Sequence, residues 1–203
     1  MHIIRNKKDV RKLKLQVQLS VDGYIAGPNG ELDWIADLTT LVNWNATEVL
    51  DLINSLADSS DTILMGRKMT DGFITYWEGV KSDSPEYTFA QKMVNIPKVV
   101  FSKTLKTIPG KNVVVENGDL ATIVKNIKSK PGKDILVYGG AEFVSSLIKE
   151  GLIDEFHFFI IPVRINKGKR IFDLLNRRQK LELMKSTAYD CGVTVTSFKL
   201  QSS

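Results

Sequence analysis

Over its first 150 residues the chain alternates short apolar runs with amphipathic stretches of helical period, and this pattern restricts the fold more than any other feature. Such alternation builds parallel strands joined by crossover helices. The expected fold class is therefore α/β, a mostly parallel central sheet with helices on both faces. The first run, KLQVQLS at 14–20, alternates strictly, with Leu15, Val17 and Leu19 on one face and Lys14, Gln16 and Gln18 on the other. Further strands are expected at 61–66, 98–102, 112–116 and 134–138. Helices are expected at 46–58 capped by Asn45, from Pro85 through Val94, from Asp119 to Lys128, and from Ala141 to Glu150 with Gly151 as a left-handed terminator. Three strand-like runs close the chain at 154–162, 180–186 and 192–200, which predicts an antiparallel C-terminal hairpin on the sheet.

A chain of 203 residues can bury a sizeable core unaided, and no repeat or low-complexity tract divides it. One domain over residues 12–203, behind an N-terminal extension of residues 1–11, is the economical organisation. Cys191 is the single cysteine, and His2 and His157 are the two histidines. They supply neither a disulfide framework nor metal-ligand spacing, which disfavours zinc hydrolases and cysteine-histidine nucleophiles. The opening MHIIRNKKDV lacks the apolar region of a secretion signal, and no later run reaches the about 18 apolar residues of a membrane span. A cytoplasmic protein without a membrane partner is expected. The excess of 28 Lys+Arg over 23 Asp+Glu is spread along the chain without aromatic interleaving, so no nucleic acid partner is expected either.

Ligands of parallel sheets bind beyond the carboxyl ends of the strands. Four loops are expected there, at 20–34, 66–77, 102–110 and 138–143. In Tyr138-Gly139-Gly140-Ala141-Glu142-Phe143 a strand runs through two glycines into a helix, so backbone N–H groups and the helix dipole can face an anion. The same pattern also serves tight packing. It lacks the third glycine of G-x-G-x-x-G, which disfavours a Rossmann dehydrogenase. Gly66, Arg67, Lys68 and Met69 follow another strand and bring two cations beside a glycine, and Ser102 and Lys103 end a third. A guanidinium offers phosphate a bidentate fork, although exposed basic residues are often only solvated.

Taken in order, SVDGYIAGPNGELDW, ILMGRKM, KVVFSK, LVYGGAEF and NKGKRIF resemble the dihydrofolate reductase-like superfamily, in the branch that holds the C-terminal reductase domain of the bifunctional riboflavin-biosynthesis protein. The resemblance spans about residues 12–200. It implies that family's three-layer fold and NADPH as cofactor. By position, it places Gly66, Arg67, Lys68 and Met69 along the adenosine phosphate and pyrophosphate, and Ser102 and Lys103 at the 2′-phosphate. Gly139, Gly140, Ala141, Glu142 and Phe143, after Tyr138, would cradle the pyrophosphate, with a strained or cis Gly-Gly peptide typical of the family. Ser20, Ile25 and Ala26 would approach the nicotinamide.

On the substrate side, the resemblance makes Asp37 the nearest match to the acidic residue that folate reductases use to bind and protonate the pterin, with Asp33 competing. Their alternatives are a solvated first-turn acid and a helix cap. Gln16 and Gln18 share a strand face that would point into the pocket, where a polar, flat heterocycle could satisfy their amides. Trp34, Phe73, Tyr76 and Trp77 are candidate pocket walls or ordinary core. His157 reads as a satisfied core histidine and Cys191 as an inert thiol. The extended acidic-proline substrate loop and the deaminase half of the riboflavin-pathway enzyme are not found in these residues. The expected activity is hydride transfer to a C=N or C=O bond of a polar heterocyclic small molecule. The riboflavin-pathway uracil reductase reaction, a dihydrofolate reductase and a non-catalytic dinucleotide-binding protein all remain open. The apolar FHFFII run can support a homodimer or belong to the core.

Overall fold

In the computed structural model the described residues are 10–35, 40 and 46–201. They form β1 (Leu13–Ser20), α1 (Thr47–Asp58), β2 (Ser60–Gly66), α2 (Arg67–Gly79), α3 (Tyr87–Asn95), β3 (Lys98–Phe101) and β4 (Val113–Glu116). Next come α4 (Leu120–Ser129), β5 (Asp134–Val137), α5 (Ala141–Lys149), β6 (Glu155–Ile161), β7 (Leu181–Ala188) and β8 (Thr194–Leu200). The eight strands make one sheet in the order β4-β3-β2-β5-β1-β6-β8-β7. The first six in that order are mutually parallel, and β8 pairs antiparallel with both β6 and β7. The expected mostly parallel sheet and C-terminal hairpin are both present.

The alternation in β1 does what its period requires. Leu13 and Leu15 are buried with Val124, Val144, Leu147 and Ile148 of α4 and α5, and Val17 and Leu19 pack against the same cluster. The opposite face of the sheet, with Ile63, Met65, Leu136, Phe159 and Ile161, is covered by α1, α2 and α3. Each fully buried aliphatic or aromatic side chain contributes about 1.5–3 kcal/mol, so the two apolar layers fix which face each helix takes. Two helix ends are closed by local hydrogen bonds, at Gly151 as expected and at Asp119, which stands before its helix rather than in it. Asp119 caps α4 by accepting from Thr122 N at 2.8 Å. Gly151 takes φ 64° after α5, and Gly151 N–H to Ile148 O and Leu152 N–H to Leu147 O close a Schellman turn.

Elsewhere the local signals mislead. The stretch expected as a loop at 66–77 is mostly helix α2, because Thr70, Phe73 and Ile74 recur on one buried face with Trp77 packed beside them. Gly72, on the exposed side, weakens the helical signal by about 1 kcal/mol of propensity without disturbing that face. Helix α3 begins at Tyr87 rather than at Pro85, since Ser84 Oγ accepts from Glu86 N at 3.2 Å and forms a turn before the helix. Asn45 lies outside the described residues, and Ala46 at the start of α1 makes no side-chain cap. The Gly139-Gly140 peptide is trans, as is every described peptide bond. Among the described residues no helix is long and apolar enough to cross a membrane, and no cluster of His, Cys, Asp or Glu is arranged to hold a metal.

Candidate functional site

Two helices start at glycines at the carboxyl end of the sheet. Gly66, the last residue of β2, is the N-cap of α2, and Gly140, just beyond β5, is the N-cap of α5. Neither start has a side-chain cap. The first-turn N–H groups of both helices therefore lack the acceptor that a Ser, Thr or Asp would provide, and each end carries a partial positive charge. Three glycines meet here for two different reasons. A Cβ on Gly66 would lie 2.6 Å from Phe143 Cβ, and one on Gly139 would lie 2.7 Å from Phe143 Cδ1. Those two are glycine because Phe143 packs on them while also meeting Phe101 at 5.3 Å between ring centroids. Around Gly140 a Cβ would meet nothing within 4 Å.

That open side faces a cleft of about 550 Å³. Its walls join Gly66, Arg67, Lys68 and Met69 from α2 to Ser102 and Lys103 after β3 and to Gly140, Glu142 and Phe143 at α5. Three of the segments singled out in the sequence thus converge on one space. Tyr138, Gly139 and Ala141, expected with them, do not line it. The Tyr138 hydroxyl turns to the α1–α3 face and donates to Gln16 Oε1 at 2.8 Å, and its burial raises its pKa. Sequence reasoning missed Glu116, Asp119 and Ser146, which line the same cleft. Asp119 was expected only as the start of a helix, and nothing local shows that β4 lies beside β3.

The cleft holds both signs of charge. Lys68 Nζ donates to Glu142 Oε2 at 2.6 Å, and that bond, helped by Lys103 and Lys169, holds the Glu142 carboxyl below its usual range. Bonds from Thr122 do the same for Asp119. Ser102 is buried, and its Oγ accepts from Leu105 N at 2.9 Å and Thr104 N at 3.2 Å. Its hydroxyl therefore shapes the turn that carries Lys103.

The glycine-bearing loop after β1 is fastened to the basic segment at 162–170. Ser20 Oγ donates to Asp22 Oδ1 at 2.7 Å and accepts from Tyr24 N at 3.0 Å. Asp22 also accepts from Asn166 N at 2.8 Å and Ile165 N at 3.3 Å, and these bonds, led by the Ser20 hydroxyl, lower its pKa. Ile25 N–H to Lys169 O and Lys169 N–H to Ala26 O, both 2.9 Å, add a two-bond bridge. Gly168 must be glycine, since a Cβ there would lie 2.1 Å from Ala26 O. Arg170 covers the Tyr24 ring at 4.3 Å and donates to its hydroxyl at 2.8 Å. Ser20, Ile25 and Ala26 thus sit on a braced loop at the same end of the sheet, outside the lining of the cleft.

Of the expected substrate residues, Gln16 and Gln18 are half-buried on β1. Trp34 packs on the α1–α3 side, with its indole Nε1 buried and without an acceptor among the described residues. Phe73 is buried 5.6 Å from Tyr138 and 6.1 Å from Trp77, and Trp77 meets Phe89 at 5.4 Å. These rings serve the core as well as any pocket. Tyr76 is 45% exposed, and its hydroxyl donates to Glu86 Oε2 at 2.7 Å, which ties α2 to the turn before α3. Asp33 lies in an exposed turn, and Asp37 lies outside the described residues.

The sequence model of the RibD C-terminal domain family matches residues 11–195. The uncharacterised protein YyaP of Bacillus subtilis (strain 168) is 32% identical over 189 residues, 93% of this chain and 94% of that protein. A protein of Shewanella sp. PV-4, assigned provisionally to riboflavin biosynthesis, superposes with a TM-score of 0.70 at 22% identity, covering 94% of this chain and 99% of that one. The Thermotoga maritima diaminohydroxyphosphoribosylaminopyrimidine deaminase/5-amino-6-(5-phosphoribosylamino)uracil reductase gives 0.66 at 16% identity, over 96% of this chain and 58% of that one. Dihydrofolate reductase from Enterococcus faecalis, solved with NADP(H), gives 0.60 at 14% identity, over 94% and 97% of the two chains.

Proposed function

Because the chain belongs to the RibD C-terminal domain family, we propose that it is an NADPH-dependent reductase acting on a C=N or C=O bond of a polar heterocyclic small molecule. The reading is carried by one observation: α2 and α5 both start at glycines without a side-chain cap and open on a single cleft beside Arg67, Lys68 and Lys103. Amide hydrogens, helix dipoles and cations gathered in one place suit a pyrophosphate and a further phosphate. The open side of Gly140 leaves room for close approach.

In this reading the first-turn amides of α2 and α5 hold the pyrophosphate, and Arg67 and Lys103 hold the 2′-phosphate. Ser102 orders the turn between them. The braced loop with Ser20, Ile25 and Ala26 flanks the nicotinamide. When bound, the dinucleotide supplies the hydride. The chain positions the acceptor and excludes water. Gln16, Gln18 and the Trp34 indole N–H read the polar edge of the heterocycle, with Phe73 and Trp77 behind them. Asp33 or Asp37, directly or through water, delivers the proton. The uracil reductase named for the Thermotoga maritima protein is the first substrate class to try. A homodimer is part of the proposal.

Titration with NADPH and NADH tests the cofactor half. The wild-type chain should prefer NADPH, and Arg67→Ala and Lys103→Ala should each reduce that preference by about tenfold, the worth of one charge-assisted contact. An unchanged preference in both variants means that the phosphate has been misplaced. NADPH consumption with the ribosylamino-pyrimidine and with dihydrofolate tests the other half. Tight binding without turnover across a carbonyl and imine panel would leave a binding protein rather than an enzyme.

A further inference from the structure

Three carboxylates in the cleft, Glu116, Asp119 and Glu142, oppose in sign the ligand proposed for it, and of these Glu142 is paired to one of the cleft's own lysines. Glu142 stands in the first turn of α5, two residues past the open Gly140, and lines the cleft together with Lys68 and Lys103. Its Oε2 takes a hydrogen bond from Lys68 Nζ at 2.6 Å, joining the first turn of α5 to that of α2 across the glycine junction. Lys103 and Lys169 lie close enough to add to the field on its carboxylate. The two side chains are 75% and 74% exposed, so the pair adds little to folding stability. The lysine and the uncapped α5 terminus are, however, the groups that an incoming phosphate needs.

We propose that Glu142 is an internal counter-anion of the cofactor cleft. Its carboxylate engages Lys68 when the cleft is free, and must yield it when a phosphate arrives. The inference rests on the reading of this cleft as the NADPH site. Two effects then oppose binding, the loss of the Lys68–Glu142 bond and the repulsion between carboxylate and phosphate. Glu142 therefore keeps affinity below what Arg67, Lys68, Lys103 and the helix amides would give alone, and it speeds release of the spent cofactor. Glutamine at this position keeps the size and an acceptor oxygen but removes the charge. Like charges several ångströms apart at a protein surface predict NADPH binding about three- to tenfold tighter in Glu142→Gln at low ionic strength. The gain should shrink towards unity as salt screens the pair.

The test is calorimetric titration of NADPH and NADH into the full chain and into Glu142→Gln, at low and high salt, with stopped-flow release of NADPH as a second readout. Tighter NADPH binding and slower release in Glu142→Gln support the proposal. A larger gain for NADPH than for NADH places the counter-anion beside the 2′-phosphate, and equal gains place it beside the pyrophosphate. Unchanged or weaker NADPH binding in Glu142→Gln, with wild-type binding intact, overturns the inference alone. Failure of the wild-type chain to bind either dinucleotide overturns the underlying reading instead. Lys68→Met supplies the second arm. If Glu142 restrains binding partly by holding Lys68, Glu142→Gln gains less in that background than in the wild type, and an undiminished gain removes the role of the ion pair.

Discussion

Gly66, Gly139 and Gly140 look alike in the sequence, and the sheet gives them different duties. Phe143 occupies the side-chain space of the first two, whereas the side-chain space of Gly140 is open. Gly140 has φ −68° and ψ 165°, values open to any L-residue. Gly140→Ala should therefore fold. The lost freedom of the unfolded chain favours the variant, the poorer helix cap disfavours it, and the net change should stay within about 1 kcal/mol of zero. NADPH affinity should nevertheless fall by about tenfold or more, because the methyl enters the space where a phosphate would meet the amides. Gly66→Ala should do the reverse, driving a methyl into Phe143 and losing about 1–3 kcal/mol of stability. Thermal melts paired with NADPH titration separate the two, and wild-type affinity in Gly140→Ala would show that Gly140 is no approach point. The sequence left the Gly-Gly turn undecided between packing and anion binding. Packing by Phe143 accounts for Gly139, and the proposed anion contact is left to Gly140, whose side-chain space is open.

Elements with a clean period were legible, while those whose partners arrive from a distance were not. The alternation in β1 and the Gly151 terminator of α5 rest on neighbours within a few residues. Helix α2 was hidden because Gly72 and the threonines weaken its signal, and only the sheet supplies the face that Phe73 and Ile74 need. In β6, the core histidine was foreseen and Glu155 was not. His157 Nδ1 lies 2.9 Å from Ser197 Oγ, but the buried Nε2 has no hydrogen-bond partner among the described residues, so the ring is satisfied on one side only. Glu155, on the same face, is also buried; it lies 3.6 Å from His157 Nε2 and accepts from Lys12 Nζ at 2.7 Å. The neighbouring His157, together with the hydrogen bond and charge of Lys12, pulls its carboxyl down to about 2 despite burial. The folded value thus lies below the ordinary carboxylate value, so the stabilisation is complete above about pH 4.5 and is lost as pH falls towards 2. Glu155→Gln should be less stable than wild type at neutral pH by about 1–3 kcal/mol. Its urea midpoint should also fall less steeply between pH 4.5 and 2. Parallel midpoint curves for the two proteins would show that Glu155 does not anchor β6 in this way.

For the molecule as a whole, local pattern specified strands and helices but not the strand order, in which β1 sits between β5 and β6 and β4 forms an edge. That order brings Glu116 and Asp119 to the cleft, and it leaves two unlike sheet edges. The β4 edge is four residues long, and just beyond it Asn117 Nδ2 donates to Ser102 O and Leu105 O at 2.7 Å. The β7 edge is eight residues long and mostly exposed, with Leu183 56% and Met184 47% accessible. Leu183 pairs in register with Phe198, whose ring meets Phe158, which in turn meets the 39% exposed Phe172. The proposed homodimer is assigned to this strip, since contiguous exposed apolar surface favours association. A second copy suits it, because Glu182 and Lys185 flank Leu183 and Met184. A two-fold contact along β7 can set each Glu182 against the Lys185 of the other chain and Leu183 against Met184. Sedimentation equilibrium at tens of micromolar should therefore give twice 22.8 kDa. Leu183→Lys combined with Met184→Lys should give the single-chain mass with an unchanged circular dichroism spectrum. Glu182→Lys should weaken association, and adding Lys185→Glu should restore it, because the swapped pair keeps its complementarity. A single-chain mass for the wild type would show that the strip serves something other than self-association, and an unrestored double variant would move the contact off β7.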